Sequence, residues 1–289
     1  MVDICCVGHI TDDKVVTNQS INYMPGGTAY YFSCAVARLD MSYLLVTALA
    51  PSEMKYVADL QDQGVEVHVQ PSAYTVNFEN IYGDDSDQRT QNVLQKADAF
   101  TIEQIEQVDA QIFHLGPLLA DDISVEFIKT LGAKGLVSLD VQGYLREVVD
   151  HKVYPANWPE KIEALQYVHT LKADEAELYA LTGYNNVLQG AKLLADWGVK
   201  EIVITNGSKG SIIYSDAEFY TIPAYRPITI ADATGCGDTY IAGYLFKRIK
   251  GAGIQEAGEF AAAMATLKME SSGPFMGKEG DVVQFLAMK

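Results

Sequence analysis

The residues best placed by type and spacing to do chemistry are Asp232-Ala-Thr-Gly-Cys-Gly-Asp238. A short apolar stretch runs into Gly235 and Gly237, and a helix-like pattern follows with Ile241, Leu245 and Ile249 on a shared face. Glycines let the backbone approach a ligand closely. The N–H groups of a first helical turn lack carbonyl partners, so they form an anion site without any cationic side chain. Asp238 stands at the mouth of that helix, where the dipole favours the ionised carboxylate, and it can accept a proton from a hydroxyl. A tight turn with aspartate caps accounts for the glycines equally well when they are taken alone.

Such a turn needs a frame of strands and helices behind it. At 289 residues and 48% hydrophobic content, the chain can bury a sizeable core, which excludes global disorder. Short apolar runs at residues 4–7, 112–115, 136–139, 168–171 and 202–205 suit parallel strands covered on both faces, and helical patterns lie between them. Thr101-Ile-Glu-Gln104 predicts a capping box, and Asp174 opens a helical run closed by Gly183. The expected fold is α/β, a central mostly parallel sheet flanked by helices, in one unit over residues 1–289. Period-2 patterning at residues 65–95 and an extended stretch near 14–24 predict an inserted antiparallel β flap, or lid, with an ordinary sheet extension at the domain edge as the alternative.

Twenty-one Lys and Arg against 38 Asp and Glu give a net charge of −17. That field repels nucleic acid and anionic lipid, so a phosphate-handling protein of this composition has to build its positive site locally. Cys5, Cys6, Cys34 and Cys236 form no CxxC pair, so neither a disulfide framework nor a zinc knuckle is indicated. Asp3 stands where a signal peptide carries positive charge, and no apolar run approaches the roughly 18 residues of a spanning helix, so a cytoplasmic protein is expected. Other motifs fail. Gly8-His-Ile-Thr-Asp12 has no GxGxxG, Gly273-Pro-Phe-Met-Gly277-Lys278-Glu279 is one residue short of a Walker A, and the five histidines are scattered singly.

The segment at Asp232 resembles the DTxGAGD signature of the ribokinase-like (PfkB) carbohydrate kinases, with Cys236 in place of the usual Ala. The resemblance continues along nearly the whole chain in the family's order. Gly8 and Asp13, then Gly26-Gly27 ahead of a small-residue helix, resemble the substrate-side elements, with Tyr30 and Tyr31 where simple-sugar kinases carry Asn. Lys172-Ala-Asp-Glu-Ala-Glu177 resembles KxNxxE, and Thr205-Asn-Gly-Ser-Lys-Gly210 resembles TxGxxG. Ala261 to Ala265 and Gly273 fall where relatives build an adenine pocket, while Arg89 and the run from Leu139 to Arg146 also resemble family segments.

The resemblance implies a kinase using ATP and Mg²⁺. Asp238 would be the general base, and Gly235, Cys236 and Gly237 the anion hole. Asp13, Gly26, Gly27, Tyr31 and Arg89 would hold the acceptor; Lys172, Thr205, Gly207, Lys209, Gly210, Thr234 and Gly273 would hold the nucleotide. Asp174 and Glu177 would hold the metal through water, although as residues alone they read equally as an N-cap and an acidic turn. The acceptor is expected to be a sugar, polyol or cyclitol, with a nucleoside as the alternative acceptor and a non-catalytic binding protein as the alternative class. A homodimer through the lid would also follow the family.

Overall fold

The chain is described here by a computed structural model covering residues 1–17, 20–82 and 89–289. In chain order the first strands are β1 (Val2–Gly8), β2 (Thr11–Val16), β3 (Ile21–Gly26), β4 (Tyr43–Leu49), β5 (Glu66–Pro71), β6 (Asn77–Tyr82), β7 (Arg89–Gln95) and β8 (Ala110–Gly116). They are followed by β9 (Leu136–Asp140), β10 (Arg146–Val149), β11 (Lys152–Pro155), β12 (Thr170–Asp174), β13 (Glu201–Thr205), β14 (Ser211–Ser215) and β15 (Glu218–Ile222). The helices are α1 (Thr28–Val36), α2 (Met54–Asp62), α3 (Val125–Gly132), α4 (Lys161–Leu165), α5 (Glu175–Thr182), α6 (Val187–Asp196), α7 (Cys236–Ile249), α8 (Ile254–Met269) and α9 (Glu279–Ala287).

Nine strands form the main sheet in the order β15-β14-β13-β12-β9-β8-β1-β4-β5. Neighbours from β5 to β13 run parallel, and the β14–β15 hairpin closes one edge antiparallel. The apolar runs of the sequence are these central strands, and their side chains divide by the pleat. Along β1, Ile4 and Cys6 join the core beneath α1, α7 and α8, whereas Cys5 and Val7 join the opposite core beneath α3 and α6. Burial on both faces explains why these strands are continuously apolar.

The lid is a separate six-stranded sheet, ordered β10-β11-β7-β6-β2-β3, above the C-terminal ends of the main strands. Its small core joins Val76, Phe78 and Val93 to Leu118 and Leu119. The strand pairings depart from the expected lid in two places. Residues 66–71 belong to the main sheet as β5, parallel to β4. Val67 and Val69 pack on the core while Glu66 and His68 face solvent, and period-2 alternation cannot distinguish a lid strand from a half-covered edge strand. The lid also draws in β10 and β11, residues 146–155, whose hairpin turn places Asp150 and His151 at positive φ without a glycine to announce it. The Thr101 box caps a short 3₁₀ turn, with Gln104 Oε1 accepting the Thr101 N–H at 2.9 Å.

Candidate active site

The loop 232–235 and the start of α7 lie between two cavities at the C-terminal edge of the sheet, the usual position for ligand crevices in α/β sheets. The first, of about 390 Å³, is polar and lies under the lid. Asp13, Gly27, Tyr31, Thr234, Gly235, Gly237 and Asp238 line it, together with Phe78 and Gln91 from the lid. The second, of about 480 Å³, is mostly apolar and is lined by Thr205, Gly207, Gly210, Cys236 and Gly237, with Tyr225, Ile230, Ala262, Ala265 and Met269. Gly237 contributes to both, so the two cavities meet at one helix N-terminus.

Gly235 caps α7 in the left-handed conformation (φ 76°), and a Cβ there would fall 2.2 Å from Tyr31 Cδ1. Only glycine satisfies both conditions. The same packing defines Tyr31: its ring is buried against the loop as well as facing the cavity. The Cys236 N–H is donated back to the Ala233 carbonyl at 3.2 Å, so the expectation that it faces a ligand is not met in this conformation.

Asp238 is half-buried at the floor of the polar cavity and accepts a hydrogen bond from Thr28. Burial, and next the charge of Asp140, push its carboxyl up to about 6, against the lowering influence of Lys172, Thr28 and Arg146. A base with this value is ionised at neutral pH yet remains a competent proton acceptor. Lys172 rises from β12 into the same floor, 2.8 Å from Asp140 Oδ2 at the end of β9. Burial alone would favour the neutral amine; the charges of Asp140, Glu177 and Asp238 outweigh it and hold the ammonium above its ordinary range. In turn Lys172 keeps Asp140 ionised despite burial.

Several expected sites are placed differently. Lys172 and Thr234, expected beside the nucleotide, line the polar cavity. Lys209 is exposed at the end of the 3₁₀ turn Gly207–Lys209 and lines neither cavity. Gly273 serves the loop instead, its N–H donated to Asp232 Oδ2 at 3.3 Å. Gly26 backs Asp13, since a Cβ there would lie 2.6 Å from Asp13 Oδ2. The side chain of Arg89 lies outside the described residues. Asp174 and Glu177 form a reciprocal capping box, each accepting the other's N–H at 2.7 Å, and burial pushes Glu177 up to about 7. Among the described residues, no group of three or more His, Cys, Asp or Glu converges as a metal cage.

Thr28, Phe78 and Gln91 carry no site assignment from the sequence, and Asp140 enters there only within the run from Leu139 to Arg146. Asp140 carried a signal, an acid ending an apolar run, but the other three come to the site through pairings distant in the chain.

The fold and this pair of cavities define a ribokinase-fold kinase. In a pyrophosphate-dependent kinase of the ribokinase family, the superposition has a TM-score of 0.86 at 27% identity, covering 97% of this chain and 99% of that one. Arabidopsis thaliana ribokinase, solved with ribose and ATP, shares the fold at a TM-score of 0.83 and 22% identity, over 99% of this chain and 98% of that one. More particularly, the chain belongs to the pfkB family carbohydrate kinases, whose sequence profile matches residues 1–277. It is also 27% identical to a cytidine kinase from Thermococcus kodakarensis over 267 residues, covering 89% of this chain and 92% of that protein. It is therefore a carbohydrate or nucleoside kinase, and the non-catalytic alternative falls away. No helix among the described residues is long and apolar enough to cross a membrane.

Proposed function

We propose that this kinase transfers the terminal phosphoryl group of ATP to a hydroxyl of a small sugar, polyol or cyclitol. The carrying observation is the position of Asp238, in the polar cavity at the helix N-terminus that adjoins the apolar one. Asp238 takes the proton of the attacking hydroxyl while Asp13 and the Gly27 backbone hold the acceptor. The N–H groups of Gly235 and Gly237 and the α7 dipole stabilise charge on the transferring group, and the lid excludes water. An adenine fits the chemistry of the second cavity, where Tyr225, Ile230, Ala262, Ala265 and Met269 form apolar walls. Mg²⁺ would be held mainly by phosphate oxygens and water, with Asp174 and Glu177 supporting it indirectly.

A nucleoside acceptor is the second reading, favoured by the near full-length similarity to a cytidine kinase. Tyr31, Phe78 and Leu118 supply apolar wall for a base. The deciding experiment is a panel of sugars, polyols, cyclitols and nucleosides with Mg²⁺, run with ATP and with pyrophosphate. In the same assay Asp238→Asn should fold normally and lose about 10²–10⁴-fold in kcat. Near-normal turnover would remove Asp238 from the mechanism.

The lid also supports a homodimer reading. Ile21 and Tyr23 on edge strand β3 are 59% and 60% exposed, and Ile81, Leu94 and Tyr154 share their face of the sheet. Light scattering that gives the monomer mass at micromolar concentration would exclude it.

A further inference from the structure

Lys268 is fully buried, with 0% of its surface exposed, in the last turn of α8. Ordinary lysines are almost never in that position unless paired. Its Nζ donates to the Asp232 carbonyl oxygen at 2.8 Å and lies 3.2 Å from Asp232 Oδ2. The Asp232 side chain also accepts the N–H groups of Thr234 at 2.9 Å and Gly273 at 3.3 Å. Further links fasten the same loop to the end of α8: the Ala231 and Asp232 N–H groups donate to the Met269 carbonyl at 2.9 and 3.3 Å, and Cys236 Sγ donates to the Ala265 carbonyl at 3.7 Å. Met269 and Ala265 line the apolar cavity, while Thr234 and Gly235 line the polar one. The ammonium therefore joins the wall of one cavity to the loop of the other.

We propose that Lys268 is a positioning residue, an internal cation that holds loop 232–235 in the geometry at which the α7 N–H groups and Asp238 meet the reacting groups. It lines neither cavity, so it acts through Asp232 rather than on substrate. Its Nζ also sits 6.0 Å from the centre of the Tyr31 ring, whose edge meets Gly235, so the cation faces the loop's packing partner as well. With two backbone N–H groups remaining on the Asp232 carboxylate, removal of Lys268 loosens the loop without stripping that carboxylate of partners. This inference rests on the active-site reading above.

The test is Lys268→Ala, with Lys268→Met as a second variant that keeps the apolar stem packed. Displacement of a reacting geometry by about 1 Å costs about 10²-fold, so kcat should fall by about that factor with both KM values changed only a few-fold. Truncation to alanine leaves room at the Asp232 oxygens, and ammonium or methylammonium chloride should restore Lys268→Ala by an order of magnitude while leaving the wild type unchanged. Unchanged kcat in either folded variant overturns the proposal. So does a loss explained entirely by a reduced folded fraction, a loss in Lys268→Ala that ammonium does not restore, or failure of both variants to fold at 20 °C, which would make Lys268 a core residue only. Inactive Asp238→Asn beside fully active Lys268→Ala sinks this inference alone, whereas active Asp238→Asn removes the site reading and this inference with it.

Discussion

Lys172 Nζ lies 2.8 Å from Asp140 Oδ2, and this buried pair spans adjacent parallel strands beneath Asp238. The two residues are 32 positions apart in sequence and opposite each other in register, Lys172 beside Asp140. Burial raises the pKa of Asp238 most; of the pair, Asp140 raises it further and Lys172 lowers it.

Lys172→Met should therefore do two things. Leaving Asp140 buried without its cation costs about 3–5 kcal/mol, seen as a lower melting temperature. Removing the cation also raises the Asp238 pKa, so the acid limb of the pH–rate profile moves upward. Asp140→Asn in the same background should recover much of the stability. A variant with wild-type melting and pH profile would show that the pair is not coupled to the base.

The wild-type profile has a predicted sign and position. On the proposed mechanism Asp238 works ionised, and burial with Asp140 pushes it up to about 6, so kcat/KM should rise through about pH 6 and level off above 7. Asp140→Asn removes a raising charge and frees Lys172 to act on Asp238, so the limb should move to lower pH. Glu177, pushed up to about 7, titrates nearby. Glu177→Gln should leave the limb at 6; its disappearance in that variant would reassign the limb to Glu177.

Asp174→Asn separates cap from metal support. Asparagine caps a helix about as well as aspartate, so the melting temperature should hold. Loss of an indirect carboxylate should raise the Mg²⁺ concentration for half-maximal rate by about 10-fold. An unchanged Mg²⁺ titration would leave the Asp174–Glu177 pair as a capping box and nothing more.

Much of the site was legible because its signals are local. Gly235, Gly237 and Asp238 announce a helix N-terminus by spacing, and Asp174 with Glu177 and Gly183 marks both ends of α5. Lys268 carried a readable signal that was missed: it continues the buried stripe Ala257, Ala261, Met264 at helical spacing, a lysine where an apolar residue belongs.

The sequence by itself determined the alternating α/β order, the apolar central strands, the glycine turn with its acid, and the net acidic charge. These follow from period, capping and composition, which act over a few residues. Tertiary structure alone decided that residues 146–155 complete the lid while 66–71 do not, and that Lys172 faces the polar cavity and pairs with Asp140. It also decided that Lys268 reaches Asp232 from α8, 36 positions away. The physical reason is that a strand's partner and a buried charge's counter-charge are set by how distant segments cross, and the same local pattern is compatible with several crossings.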